Sequence, residues 1–233
     1  ALRSATSEYH KLSTYSDFNA SLDSLLTDEN AGLSPALVEF FDGLQELVDN
    51  PSSTSSRQVM LSNADSLSSR FQFLFDRIED VREDFNRQLT FEVSEANELA
   101  SSIAELNQKI LEAEARPGTN ANDLLDQRDR ALTELAERID IETLEQDNGM
   151  INVMIGNGQA LVMGSITNEL RLGNNAFDVN RKEVQLSTSS NNLTITDQIS
   201  GGTIGGLTDF RENVLDVAQN ELGRISLVLA DQF

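Results

Sequence analysis

The stretch LSSRFQFLFDRIEDVREDFNRQLTFEVSEANELASSIAELNQKILEA, residues 67–113, decides the fold. Leu67, Phe71, Leu74, Ile78, Val81, Phe85, Leu89, Val93, Ala96, Leu99, Ile103, Leu106, Ile110 and Ala113 recur in steps of three and four. Their mean spacing of about 3.5 residues draws one apolar seam along an α-helix. Phe85, Leu89 and Val93 step by four in succession, a phase slip that alters supercoiling locally without ending the helix. One unbroken helix is predicted from Gln58 to Glu114, roughly 85 Å long.

Upstream, Ala5, Tyr9, Leu12, Phe18, Leu22 and Leu25 predict an apolar stripe on a helix already under way at Ala1. Ser34-Pro35 marks the start of a second helix, serine capping free amides and proline giving up no needed donor. That helix carries Leu37, Phe40, Phe41, Leu44, Leu47 and Val48 and should stop before Pro51, with Ser52 to Ser56 as a turn. Downstream, Arg116-Pro117-Gly118-Thr119-Asn120 breaks the long helix. Asn120 or Asn122 then caps a return helix bearing Leu124, Leu125, Arg128, Leu132, Leu135 and Ile139, expected to pack antiparallel on the long one.

After Asp140 the period changes from helical to alternating. Asn148-Gly149 is a hairpin signal between 141–146 and 151–155, and Gly156-Asn157-Gly158 offers a second tight turn before 161–163. Weaker strands around 169–172, 183–187 and 193–196 bring the expectation to five or six. Gly201, Gly202, Gly205 and Gly206 read as a flexible re-entry to a final helix bearing Leu207, Phe210, Val214, Val217, Leu222, Ile225 and Leu229. The expected fold is mainly α with an inserted β-rich domain. An elongated antiparallel helical bundle, a coiled-coil trunk of residues 1–139 and 208–233, carries a small antiparallel β module of residues 140–207.

Seventeen basic against 39 acidic residues leave a net charge of -22, which disfavours nucleic acid and anionic membrane as partners. The chain lacks cysteine, so disulfides, thiolate nucleophiles and cysteine-ligated zinc are excluded. It also lacks tryptophan, and 6% aromatic residues make a poor stacking platform. No apolar run is long enough for a spanning helix, and residues 1–10 lack the layout of a cleavable signal, so a soluble chain is expected.

The single histidine, His10, has no nucleophile near it in sequence and reads as a surface residue. Acidic pairs at helical spacing, Asp76/Asp80, Glu79/Glu83 and Glu95/Glu98, are interspersed with Arg77, Arg82, Arg87 and Lys109, as on a solvated helix face rather than in a calcium site. The glycines at 156, 158 and 201–206 match no phosphate-binding pattern, and Asn192-Leu193-Thr194 fits a glycosylation acceptor only by chance. No catalytic, cofactor-binding or metal-binding residue is assigned, no cofactor is expected, and the chain is read as no enzyme.

The most distinctive polar run is Asp123-Leu124-Leu125-Asp126-Gln127-Arg128-Asp129, where Asp126 is placed to pair with Arg130. Arg128 lies in phase with Leu124, Leu125 and Leu132, so its fork should reach acceptors between helices. With Asn122 in front of it, this run closely resembles the corresponding stretch of the flagellar hook-associated protein 1 (FlgK) family. Phe40-Phe41-Asp42-Gly43-Leu44-Gln45-Glu46-Leu47, Arg57-Gln58-Val59 and Gly205-Gly206-Leu207-Thr208-Asp209-Phe210-Arg211 are similar to that family in the same order across nearly the whole chain.

The resemblance implies a segment of the family that lacks its terminal helices, exported unfolded through the flagellar type III channel and placed outside the cell at the junction between hook and filament. It implies the hook protein, other junction proteins and further copies of the chain as partners in the flagellum, and a segment that stays monomeric in solution. The rival expectation from the residues alone is a coiled-coil adaptor or extracellular binding module that presents the β module to a partner.

Overall fold

The seam of residues 67–110 becomes the inner face of α3 (Thr54–Glu114), a single helix of 61 residues. The computed structural model describes residues 2–26, 32–116, 121–188 and 191–232. The other helices before the strands are α1 (Leu2–Leu26), α2 (Leu33–Asp49) and α4 (Asn122–Arg138). Among the described residues, seven short strands, α5 (Gly202–Phe210) and α6 (Asp216–Gln232) follow, with a π-helical turn at Arg211–Leu215 between the last two helices. By contact the chain forms two compact units, Ala1–Ser16 with Phe85–Phe210, and Asp17–Asp84 with Arg211–Phe233. The expected division at residues 139/140 and 207/208 follows hydrophobic period. The units follow packing, and they place the strands together with the 85–139 helices.

In the unit of Asp17–Asp84 and Arg211–Phe233, Leu74, Ile78 and Val81 of α3 are buried, as is Leu22 of α1. Ala36 and Phe40 of α2 close on Leu67, with Leu37, Met60, Phe71 and Leu229 packed against them. Each fully buried aliphatic or aromatic side chain contributes on the order of 1.5–3 kcal/mol. The buried face of α2 is narrower than its apolar pattern, since Phe41 and Val48 are exposed. The helix starts at Leu33 with Gly32 as N-cap, two residues before the Ser34 expected to cap it. Pro35 still falls in the first turn, where its missing N–H has no intrahelical role.

Two other helix starts also differ from expectation. The long helix begins at Thr54 because Ser53, expected in a turn, accepts the Ser56 N–H on its Oγ at 3.1 Å, a serine N-cap. The α4 helix has Ala121 as N-cap and Asn122 as its first helical residue, one position past where a capping Asn122 would stand; Asn120, with Pro117 to Thr119, lies outside the described residues.

In the unit of Ala1–Ser16 and Phe85–Phe210, the α3 seam continues through Phe85, Leu89, Val93, Ala96, Ile103 and Ile110, joined by Leu132, Leu135 and Ala136 of α4. The stripe expected on the early part of α1 is not the buried face: Tyr9 and Leu12 are exposed and Ser7 is buried. The cause is α5. The stretch 201–206, expected to be flexible, is buried and helical from Gly202 on, and Gly206 lies against the Lys11 carbonyl and Thr14 of α1. A helix backbone that close admits only small side chains opposite it. Gly202, at φ +69° and crowded by the Arg138–Ile139 peptide, fits because it has no Cβ. Lys11 pairs with Asp209 at 2.9 Å and Thr203 Oγ1 donates to the Glu137 carbonyl at 3.2 Å, tying α1, α4 and α5 together.

The strands form two antiparallel sheets. One runs β1 (Ile141–Glu145), β2 (Ile151–Ile155), β3 (Gln159–Met163) and β4 (Ile166–Thr167) in order. The other runs β5 (Glu169–Asn174), β6 (Lys182–Ser187) and β7 (Asn192–Thr194). Both expected hairpins form, through Asn148-Gly149 with Gly149 at φ +77°, and through Gly156-Asn157-Gly158 closed by the pair Ile155–Gln159. The count exceeds the expected five or six because β4 is a two-residue strand too short to leave a pattern. Alternation puts Val153, Ile155, Leu161, Leu170, Val184 and Leu186 in the core.

Candidate functional site: a polar joint between helix and strands

Asn107 sits on α3 in phase with Ile103 and Ile110, and is itself 0% exposed. A bare amide there would be costly, so its hydrogen bonding decides what the position does. Its Nδ2 donates to the Ile151 carbonyl at 2.8 Å and the Gly164 carbonyl at 2.7 Å. Its Oδ1 accepts from the Ile151 N–H at 3.1 Å and from Arg128 Nη1 at 3.0 Å. Both donors and both lone pairs of the amide are used. One side chain therefore joins α3 to α4, to β2 and to the turn between β3 and β4.

Arg128 completes the joint, as its phase on α4 predicts. Its Nη1 also donates to the Gly149 carbonyl at 2.8 Å, so it clamps the β1–β2 hairpin turn. Burial draws its pKa below the ordinary guanidinium value, while the charges of Asp129, Glu145 and Glu114 act the other way. Arginine keeps its charge through the physiological range regardless. Its Nε is buried and finds no acceptor among the described residues. Around this cation the acid that pairs is Asp129, with Arg3 on α1 at 2.9 Å, and not Asp126 with Arg130.

Asn97, ten residues earlier on the same helix, repeats the device. Its Nδ2 donates to the Leu170 carbonyl and its Oδ1 accepts the Leu170 N–H, both at 2.8 Å, so the amide pairs with β5 as a neighbouring strand would. The first sheet is thus bonded to α3 at Asn107 and the second at Asn97. Between the hairpins, Asn152 Oδ1 accepts from Gln146 Nε2 at 2.8 Å and from the Gly164 N–H at 2.9 Å. Higher on α3, buried Glu92 accepts from Arg138 of α4 at 2.8 Å and from Gln88 at 2.6 Å. Arg138 also reaches over the Phe91 ring, 6.0 Å from its centre.

The other residues singled out in the sequence lie elsewhere. His10 Nε2 is 4.0 Å from a Glu137 carboxylate oxygen and its ring stands edge-on to Tyr9. Of the acidic residues on α3, Asp80 pairs with Arg77 at 3.1 Å, Glu79 with Arg82 at 3.6 Å and Glu105 with Lys109 at 3.4 Å. The exposed pairs Asp80–Arg77 and Glu105–Lys109 contribute tenths of a kcal/mol, whereas Arg82 is buried. Asn192 begins strand β7. No group of three or more metal-ligating side chains is gathered among the described residues, and no described helix is long and apolar enough to cross a membrane. Sequence reasoning found Arg128 and missed Asn97, Asn107 and Glu92. The signal for the three was present: each is polar at a position where the helical phase of the seam asks for an apolar residue.

Comparison with known proteins places this arrangement. The family model of the flagellar hook-associated protein FlgK helical domain matches residues 19–233. Flagellar hook-associated protein 1 of Salmonella typhimurium is 33% identical over 100% of this chain and 42% of its own length. That of Escherichia coli strain K12 is 29% identical over 100% of this chain and 43% of its own. The structure of the flagellar hook junction protein FlgK from Burkholderia pseudomallei superposes with a TM-score of 0.87 at 31% identity, covering 95% of this chain and 40% of that one. The chain therefore spans about two-fifths of the length of the relatives it matches. A long seamed helix with strand hairpins bonded to it, matched in sequence from end to end, makes this chain a member of the flagellar hook-associated protein FlgK family.

Proposed function

We propose that the chain is a structural segment of the bacterial flagellum at the junction between hook and filament, working through subunit packing and not through catalysis. Membership of the FlgK family over the whole chain is the observation that carries this reading. The geometry suits it: hydrogen-bonded amides fix the strands to α3, so the surface they present is defined in shape. The partners on this reading are the hook protein, other junction proteins and further copies of the chain, outside the cell, after export through the flagellar channel. No catalytic, cofactor-binding or metal-binding residue is assigned.

Electron microscopy of flagella tests the proposal. Cells lacking their native junction protein are complemented with the full-length protein that contains this chain, or with nothing. Filaments restored on hooks only by the complementing protein are expected. Bare hooks with flagellin shed into the medium in both cases would overturn the junction role and favour the binding-module reading.

A further inference from the structure

The sequence contains two Asn-Gly pairs, Asn148-Gly149 and Asn157-Gly158, both in hairpin turns. We propose that Asn157 is a site of spontaneous deamidation, and that Asn148 is held out of the same reaction by the hydrogen bonds of its turn. The reaction needs no enzyme. The backbone nitrogen of the following glycine attacks the asparagine Cγ, the side-chain amide leaves as ammonia, and a succinimide closes. Water then opens one of its two C–N bonds to give aspartate or isoaspartate. A following glycine favours ring closure because no Cβ obstructs it, and the attacking nitrogen must be free.

At Asn148 neither group is free. The Gly149 N–H donates to the Gln146 carbonyl at 3.0 Å, and Asn148 Oδ1 accepts the Met150 N–H at 3.1 Å. The Gly149 carbonyl is held by Arg128 at 2.8 Å. Ring closure there requires the turn to open first, so its rate is scaled down by the opening equilibrium. Asn157 and Gly158 are exposed, and among the described residues neither the Asn157 side chain nor the Gly158 N–H has a hydrogen-bond partner. The space where a Gly158 Cβ would stand is open. Conversion adds a negative charge, and isoaspartate adds a backbone atom, outside the last ladder pair Ile155–Gln159, so the sheet survives it.

The test is to age the full chain in mildly alkaline buffer, folded and unfolded in urea, and to map peptides by mass spectrometry with isoaspartyl methyltransferase labelling. Folded, Asn157 is expected to convert roughly tenfold or more faster than Asn148, while in urea the two rates agree within about twofold. Asn148 matching Asn157 in the folded chain would overturn the proposal. So would a folded chain intact at both sites while the unfolded chain reacts. The Asn157→Gln variant, whose longer amide closes the ring poorly, should lose the acidic species that ageing produces on ion exchange; persistence of that species counts against Asn157.

Discussion

Asn107→Ala is the perturbation to which the joint should respond most. The substitution removes four hydrogen bonds, two given to carbonyls at Ile151 and Gly164 and two taken from Ile151 N–H and Arg128. At about 1 kcal/mol net per bond the loss is about 4 kcal/mol, because water cannot reach a site this buried to replace them. Asn97→Ala removes two bonds at Leu170 and should cost about 2 kcal/mol. Asn107→Ala should cost about twice as much as Asn97→Ala, since both positions are amides on the same helix bonded to strand backbone. Two compact units need not unfold in one step, so the transition to follow is that of the unit of Ala1–Ser16 and Phe85–Phe210, which contains both asparagines. Native-state hydrogen exchange reports each hairpin separately: Ile151 amide protection should collapse in Asn107→Ala and Leu170 protection in Asn97→Ala. An Asn107→Ala cost below about 1 kcal/mol, or one smaller than that of Asn97→Ala, would refute the assignment of the joint to these hydrogen bonds.

Arg128→Ala should lower the melting temperature and expose the Gly149 turn to exchange, with about 2–4 kcal/mol lost as Asn107 and the Gly149 carbonyl forfeit their donor; an unchanged melting temperature would remove Arg128 from the fastening role. Gly206→Ala places a methyl group against the Lys11 carbonyl and should destabilise by roughly 1–3 kcal/mol. Gly223→Ala, on α6 with open space around it, should stabilise by about 0.5–1 kcal/mol, both read by urea denaturation. Leu74→Ala and Ile103→Ala, buried in different units, should each cost roughly 2–5 kcal/mol; thermal unfolding unchanged in either would show the register of α3 to be wrong.

The long helix and both hairpins were legible because they rest on local rules: an apolar seam repeating over many turns, and asparagine–glycine turns that adopt positive φ. Leu22 of the expected α1 stripe is buried, but the face of the early part of α1 was misread because its packing is set from elsewhere in the chain. Ser7 and Thr14 face inward only because α5, nearly two hundred residues later, brings a glycine backbone against that side. The same glycines suggested flexibility because sequence shows the absence of a side chain but not what fills the space. Arg128 was found because it is a charged residue in an apolar phase. Asn97, Asn107 and Glu92 obey the same logic, but they are scattered along a long helix rich in polar residues, and their partners on β5, β2 and α4 lie far away in sequence.

Each unit is assembled from separated pieces of chain, since the boundaries fall at 16/17, 84/85 and 210/211. For Asp17–Asp84 to meet Arg211–Phe233, the ends of a segment on the order of a hundred residues must come together, an entropic penalty that grows with the logarithm of its length. Much of that penalty disappears if residues 85–210 have already condensed, because the segment between Asp84 and Arg211 is then short in effective length. The connectivity therefore predicts that the hairpins and α4 gather on the later half of α3 before Asp17–Asp84 and Arg211–Phe233 join each other. Refolding should show the strand amides protected before those of α2, and slow contact formation should belong to the terminal segments.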